Sequence, residues 1–384
     1  MCPEGLRIGF DVSCLVPQPL TGVGYFTLHL VDAFLERFPG CDVRLFASSA
    51  REAPAVLDGL ARRAMRCRRV RFPTRLKTAL WTRAAWPPIE WFTGEVDVAH
   101  GCFHLLPASR GARRVVTVYD LSGMRQAGTH TASDLALNRR LLEHAVPRAD
   151  ALVAISESCK ADLVELLGAH PDRVHVAYGG VAMGQFEGPL DADALARTRG
   201  KFGIEGDYFI HLGTLEPRKN LPRLIEAYAR IREGHADLPR LVLAGRAGWM
   251  FEAVFETIRR LGLEDAVIHT GYVGREEAVL LLRGAFACVY PSLYEGFGLP
   301  VLEAMASRVP VLTSNVSSLP EVIGDTGIQV APDDVDAIAA GLEALVERRE
   351  EALARVEAAY ERARGFSWTA SAEALARVYE SLCG

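Results

Sequence analysis

The stretch PSLYEGFGLPVLEAM, residues 291–305, sets Glu295 and Glu303 on either side of a glycine-rich turn and a proline. ACVYPS just before it is short and apolar and reads as a strand, so the glycines fall in the loop at its carboxyl end. Gly296 and Gly298 let backbone N–H groups approach a ligand with no Cβ in the way. Pro300 suits the first turn of the next helix, whose N-terminus favours phosphate. Glu295 on the loop and Glu303 in the first turn can each accept hydrogen bonds from hydroxyl groups. A ligand with hydroxyls at both ends and a diphosphate between them fits this pattern, and a nucleotide sugar is such a ligand. A Glu303 that only complements the helix dipole leaves the Glu-Gly-Phe-Gly loop unexplained.

Breaking a sugar–diphosphate bond leaves negative charge on the diphosphate, which a metal ion or fixed cations must stabilise. Arg218 and Lys219, in GTLEPRKNLPRLIEAY (213–228), follow the strand YFIHLG and can supply those cations. Basic residues at a helix start oppose the dipole, which points to a phosphate partner. Asp191 with Asp193, and Asp334 with Asp336, have Asp-x-Asp spacing but stand at helix starts and read as structural. No metal is therefore expected. Arg246 follows the strand RLVLAG, where it meets either phosphate and base or a surface partner. Gly22 and Gly24 in TGVGYF sit in a strand-to-helix loop, either a ligand-facing loop or a plain turn. Asp120 ends VVTVYD, where a carboxylate can stabilise a developing positive charge or orient an acceptor hydroxyl. Tyr119 beside it can donate a hydrogen bond but is a poor base near neutrality. His104 ends the preceding strand, where it either approaches the same site or packs. Ser156 and Glu157 read as a helix cap and first-turn acid.

The elements that must position these residues are repetitive. LRIGFDVSCL, VDVAHG, RRVVTVYD and ADALVAIS read as strands separated by helical or loop material. After a polar passage at 179–203 the pattern restarts with YFIHLG, RLVLAG, AVIHTG and ACVYPS, with helices at LPRLIEAYARIRE and EAVFETIRRLG. Alternation of this kind predicts an α/β protein with two doubly wound, Rossmann-like domains, residues 1–184 and 200–365, linked near 184–200. Ligands bind such sheets at the carboxyl ends of strands, so the expected site faces a cleft between the domains.

Length and composition agree, because 384 residues exceed one typical core and 49% are hydrophobic. No apolar run reaches the ~18–20 residues of a membrane span. MCPEGLRIGFDVSCL lacks the features of a signal peptide. The eight cysteines show no Cys-x-x-Cys pair, which argues against zinc and disulfides and suits a reducing cytoplasm. The net charge of −5 divides into +3 over residues 1–190 (22 basic, 19 acidic) and −8 over the remainder (21 basic, 29 acidic). Residues 62–83, RRAMRCRRVRFPTRLKTALWTR, hold nine basic residues and no acidic one, and Trp81, Trp86 and Trp91 overlap or follow them. Basic residues interleaved with aromatics suit an anionic membrane surface, with 62–91 as the contact. The competing reading is a solvated arginine face over buried tryptophans. With a negative whole-chain charge and no recognition motif, nucleic acid is not an expected partner.

Together these motifs resemble the retaining glycosyltransferases of family 4, mannosyltransferase-like members of the glycosyltransferase-B fold. EGFGLPVLEAMASRVPVLTS carries the Glu-x7-Glu spacing, and GTLEPRKNLPRLIEAY, LVLAGRAGW, VIHTGYV, SSLPEVIGDTGIQVAPDD and AISESCKADLVELLG occur with it. The resemblance spans nearly the whole chain. It implies that Glu295 holds donor-sugar hydroxyls, that Glu303 holds the ribose, and that the Phe297–Leu299 backbone meets sugar and phosphates. Val273, which ends VIHTGYV, joins Arg246, Gly22 and Gly24 on the implied donor side. Tyr119 stands where many members have histidine, so catalysis on the acceptor side rests on Asp120, with Tyr119 and His104 as candidates. GFSWTASAEALARVYESL (365–382) resembles the segment that crosses back to complete the first domain. The activity implied is transfer of a hexose, mannose from GDP-mannose first, to a glycan or lipid-linked hydroxyl without a metal. A UDP-sugar donor, a sugar-nucleotide epimerase and an inactive sugar-nucleotide-binding subunit are the alternatives.

Overall fold

The computed structural model describes residues 5–49, 56–235 and 237–384. The chain forms two compact units, each built on one parallel sheet. The first comprises residues 1–124, 132–180 and 367–384, and the second 125–131 and 181–366. The strands of the first are β1 (Arg7–Asp11), β2 (Asp42–Ser48), β3 (Arg66–Val70), β4 (Val98–Gly101), β5 (Arg113–Val118), β6 (Ala151–Ala154) and β7 (Val174–Val176). They lie in the order β3-β2-β1-β4-β5-β6-β7. The strands of the second are β8 (Tyr208–Leu212), β9 (Arg240–Ala244), β10 (Val267–Gly271), β11 (Ala287–Tyr290), β12 (Val311–Ser314) and β13 (Ile328–Val330). Their order is β10-β9-β8-β11-β12-β13. The order therefore reverses between β1 and β4 in one sheet, and between β8 and β11 in the other. Loops leaving such adjacent strands diverge to opposite sides and leave a crevice at their carboxyl ends.

The sequence explains these elements locally. Central strands such as ALVA and ACVY are buried along their whole length, as strands covered on both faces must be. Helix Leu221–Arg232 buries Leu221, Leu224, Ile225, Tyr228 and Ile231 at helical spacing. Those residues join Phe209, Leu241, Val289, Leu312 and Leu342 in the core of the second unit. Each large apolar side chain buried there contributes about 1.5–3 kcal/mol.

Residues 367–384 belong to the first unit. Helix Trp368–Cys383 packs on helix Gly22–Arg37, Tyr379 is fully buried, and His29 stacks on Trp368 at 5.4 Å. The chain leaves the first unit at Gly180, where a Cβ would lie 2.4 Å from the Trp368 nitrogen. Only glycine tolerates that approach.

Two features differ from the expected boundaries. The second half of the supposed linker, 184–200, lies in helix Ala192–Phe202 of the second unit, capped by Asp191, whose carboxylate accepts from the Ala194 N–H at 2.8 Å. Residues 125–131 also pack with the second unit, held by a 2.7 Å bond from the Trp249 indole to the Thr129 carbonyl. Asp334 caps helix Val335–Glu347 through the N–H groups of Asp336 and Ala337, and Asp336 pairs with Arg230. Asp191, Asp334 and Asp336 are thus engaged in capping and ion pairing, and Asp193 stands in the first turn of its helix.

Candidate active site

The loops that follow β8 and β11 bring the strongest sequence candidates together at the point where strand order reverses. Arg218 and Lys219 lie on a single 3-10 turn, Pro217–Lys219, after β8, and Glu295 lies on the loop after β11. Arg218 Nη1 is 2.6 Å from Glu295 Oε2, and Lys219 Nζ is 2.7 Å from Glu295 Oε1. Glu295 therefore meets two cations with its two oxygens. Burial alone would push its carboxyl up, but the two cations outweigh burial and hold it at about 2. Burial and the adjacent Arg218 hold Lys219 below the ordinary lysine range.

The cations are themselves supported. Lys219 Nζ donates to the Tyr290 hydroxyl at 2.6 Å, and Arg218 Nη1 donates to the Tyr294 carbonyl at 2.7 Å. Glu216, buried and absent from the sequence candidates, accepts from Arg218 Nη2 at 2.6 Å. Its signal was only its place two residues before Arg218, within hydrogen-bonding reach on a tight turn. The Tyr290 ring stacks on His211 at 4.8 Å. Burial pushes His211 down to about 3, so it is neutral near pH 7. Its Nδ1 donates to the Val289 carbonyl at 3.2 Å, leaving Nε2 as a buried acceptor with no hydrogen-bond partner among the described residues.

The loop backbone is fixed from beneath. The Glu295 N–H donates to Ser317 Oγ at 2.9 Å, and Ser318 Oγ donates to the carbonyls of Glu295 and Phe297 at 2.9 Å each. Gly296, Phe297 and Gly298 are buried, and Leu299 opens helix Leu299–Ala306 with Pro300 in its first turn. Gly298 has φ of 107°, and a Cβ there would come 2.7 Å from Leu319 Cδ2. A side chain is excluded twice over.

Glu303 lies on that helix, buried, with Oε1 2.5 Å from Arg275 Nη1. Burial outweighs Arg275 here and raises the carboxyl above its usual range. Arg275 Nε donates to Gln185 Oε1 at 2.9 Å. Arg275 was not a sequence candidate, yet it opens helix Arg275–Arg283 as a basic residue against the dipole, the signal that had marked Arg218 and Lys219. Val273 is buried just before that helix, and Arg246 is exposed after β9.

In the first unit the candidates divide. Gly22 and Gly24 form the first turn of helix Gly22–Arg37, where Thr21 accepts from the Gly24 N–H. Asp120 Oδ1 accepts from the Ser122 N–H at 3.1 Å and hydroxyl at 2.6 Å, at the carboxyl end of β5. Tyr119 is turned into the core, its hydroxyl 2.7 Å from that of Thr27 and its ring edge-on to Phe26. His104 is buried, and its Nε2 accepts from the Tyr119 N–H at 3.0 Å. Burial lowers it to about 4, so it stays neutral and packs. Ser156 caps helix Glu157–Leu167 by accepting from the Cys159 N–H.

The basic stretch is not one surface. Lys77 is buried, 2.6 Å from Asp11 at the carboxyl end of β1, and donates to Ser13 at 2.8 Å. Trp81 is also buried and donates to the Pro87 carbonyl. Trp86 and Trp91 are about half exposed, edge-on to each other at 5.5 Å, with Arg110 over Trp91. Among the described residues, no helix is long and apolar enough to cross a membrane. His235, Glu343 and Glu347 can bring ligand atoms within 4.8 Å of one another, a grouping not noticed in the sequence. It shares no residue with the Arg218–Glu295 cluster.

Known proteins match most of this chain. Residues 20–184 fit the profile of Glycosyltransferase Family 4, and residues 196–362 that of Glycosyl transferases group 1. The O-antigen chain mannosyltransferase B of Escherichia coli is 32% identical over 368 residues, covering 92% of this chain and 94% of that protein. The D-inositol 3-phosphate glycosyltransferase of Kribbella flavida is 30% identical over 381 residues, covering 92% and 84% respectively. HepE of Anabaena, solved with UDP and glucose, superposes with a TM-score of 0.73 at 18% identity, covering 98% of this chain and 100% of that one. The chain belongs to the family-4 glycosyltransferases and has their glycosyltransferase-B fold.

Proposed function

We infer that the chain is a retaining hexosyltransferase that moves mannose from GDP-mannose to a hydroxyl of a glycan or lipid-linked acceptor in polysaccharide or lipopolysaccharide synthesis. The observation that carries this reading is the largely buried Arg218–Lys219 pair at the switch point of the second sheet, beside a glycine turn and a helix N-terminus. Similarity to the O-antigen mannosyltransferase supports mannose. Donors built on uridine compete, because Glu295 and Glu303 are assigned to sugar and ribose and neither reads the base.

In the reaction the sugar–diphosphate C–O bond breaks and the acceptor oxygen bonds to the same face of the sugar. The electron pair goes to the diphosphate oxygen, which takes the acceptor's proton. Lys219, Arg218 and the N–H groups after Gly296 stabilise that oxygen. Glu295 orients the sugar hydroxyls, Glu303 the ribose, and Asp120 is assigned to the acceptor hydroxyl. Fixed cations fill the role of a metal, and an anionic membrane surface is a partner through Trp86 and Trp91.

A panel of nucleotide sugars, run with and without EDTA, tests the reading. Slow release of GDP from GDP-mannose, insensitive to EDTA, is expected, with the product keeping the donor's anomeric configuration by NMR. A changed sugar on an intact nucleotide would indicate an epimerase, and no turnover of any donor a binding subunit.

A further inference from the structure

The cluster around Arg218 holds two cations and two carboxylates, all nearly buried, at 13% exposure for Arg218, 8% for Lys219 and Glu295, and 6% for Glu216. The two carboxylates are not equivalent. Glu216 is two residues from Arg218, meets that cation, and travels with it on the same turn. Glu295 comes from a separate loop and spans both cations. Its backbone is pinned by Ser317 and Ser318, so its side chain can swing while the loop stays in place. A diphosphate arriving at these cations would find them already matched by two anions, and a third buried anion beside Glu295 would be repelled. Lys219 can keep its bond to Tyr290, and Arg218 its bonds to Glu216 and the Tyr294 carbonyl, when Glu295 departs.

We propose that Glu216 is the fixed counter-ion that positions Arg218, and that Glu295 is the exchangeable one, an internal anion that the donor's diphosphate displaces. This rests on the reading of Arg218 and Lys219 as the diphosphate site. Displaced from the cations, the Glu295 carboxylate requires hydrogen-bond donors, and the sugar hydroxyls of a complete donor provide them. A free nucleoside diphosphate has hydroxyls at its ribose but none at the sugar end. After transfer the carboxylate recaptures the cations and favours release of the product, so one residue selects the intact donor over the spent one.

Calorimetric titration of GDP, UDP and inorganic pyrophosphate into the wild type, Glu295→Gln and Glu216→Gln tests this, with thermal melting as the folding control. If Glu295 were a free acceptor, its replacement would leave nucleoside diphosphate affinity nearly untouched. Release of the internal ion pair instead predicts tighter binding to Glu295→Gln, on the order of tenfold, alongside reduced donor turnover. Glu216→Gln is expected to bind no tighter than the wild type and to turn over more slowly, because Arg218 loses its support. Glu295→Asp keeps the charge but loses reach, so it should tighten binding several-fold and serves if the Gln variant does not fold. Equal tightening in both Gln variants would reflect net charge alone and overturn the division of roles, as would no tightening in Glu295→Gln or Glu295→Asp. A wild type that binds none of the three probes would overturn the diphosphate reading itself, and the inference with it.

Discussion

At the scale of single residues the site is a problem in matching buried charge. Lys219 is held by a carboxylate and a phenol, in a place where burial disfavours its charge. Such a group is preorganised for an anion and cannot be replaced by a neutral side chain without loss. Lys219→Ala is expected to lower donor turnover by at least about a hundredfold, the scale of one lost electrostatic stabiliser. Turnover close to wild type in a folded variant would remove Lys219 from the reaction. Glu303 is a different case, since its partner Arg275 is also bonded to Gln185. Its assigned ribose contact is present in donor and product alike. Glu303→Gln should therefore weaken GDP and donor binding together, by roughly tenfold. Isothermal titration checks this, and a selective loss of donor binding would move Glu303 to the sugar end.

At the scale of elements, the loops matter more than the strands. Gly298 joins the fixed loop to helix Leu299–Ala306 in a conformation that side chains avoid and with Leu319 in the way. Gly298→Ala should cost ~1–3 kcal/mol, read as a lower denaturant midpoint, and should weaken nucleotide binding because the helix start moves. The helix Thr74–Arg83 illustrates how much was legible. Its nine-charge context reads as a surface, yet Lys77 turns inward to Asp11, a partner 66 residues away that no local pattern announces. The central strands, the long amphipathic helices and the Glu295–Glu303 loop were readable because composition, periodicity and glycine placement are local. Five strands lack a clear pattern: β3 is an arginine-rich edge strand, β7 and β13 are three residues long, β12 is four, and in the internal β2 Arg44 interrupts the apolar run. Glu216 is legible only through its partner Arg218, whereas Arg275 shows the same basic helix start as Lys219. Apart from Lys77, the basic residues of 62–83 are exposed, and Trp86 and Trp91 are the exposed aromatics beside them. Replacing both with alanine should reduce sedimentation with anionic vesicles several-fold without lowering the melting temperature. Unchanged sedimentation would leave the membrane without this contact.

At the scale of the whole molecule, each sheet buries neutral histidine near its switch point. In the first unit His100 on β4 bonds to Tyr379 of the C-terminal helix and to Thr117 at 2.8 Å, and His104 supports the Tyr119 backbone. In the second unit His211 lies under Tyr290. Burial lowers His100 and His211 to about 3 and His104 to about 4, against an ordinary value of 6.5. The sign follows from proton counts. Below pH 6.5 the unfolded chain takes up protons at these positions and the folded chain does not, so stability falls as pH falls. Each group contributes a slope of about 1.4 kcal/mol per pH unit, so the three together approach roughly 4 kcal/mol per pH unit. Carboxylates held low by cations, Glu295 among them, begin to contribute only near their ordinary value of 4.5. From pH 6.5 to 4.5 the lowered histidines, His144 and His175 included, pull stability down, and the raised Glu303 carboxyl opposes them within the second unit. Chemical denaturation across that interval should show a steady loss of stability, steeper for the first unit, where His100, His104, His144 and His175 are all lowered, than for the second, where Glu303 opposes His211. His211→Phe, which keeps a ring beneath Tyr290, should flatten the slope of the second unit and leave that of the first unchanged. A pH-independent midpoint from 6.5 to 4.5 would mean that these imidazoles gain protons in the folded state as readily as in the unfolded chain.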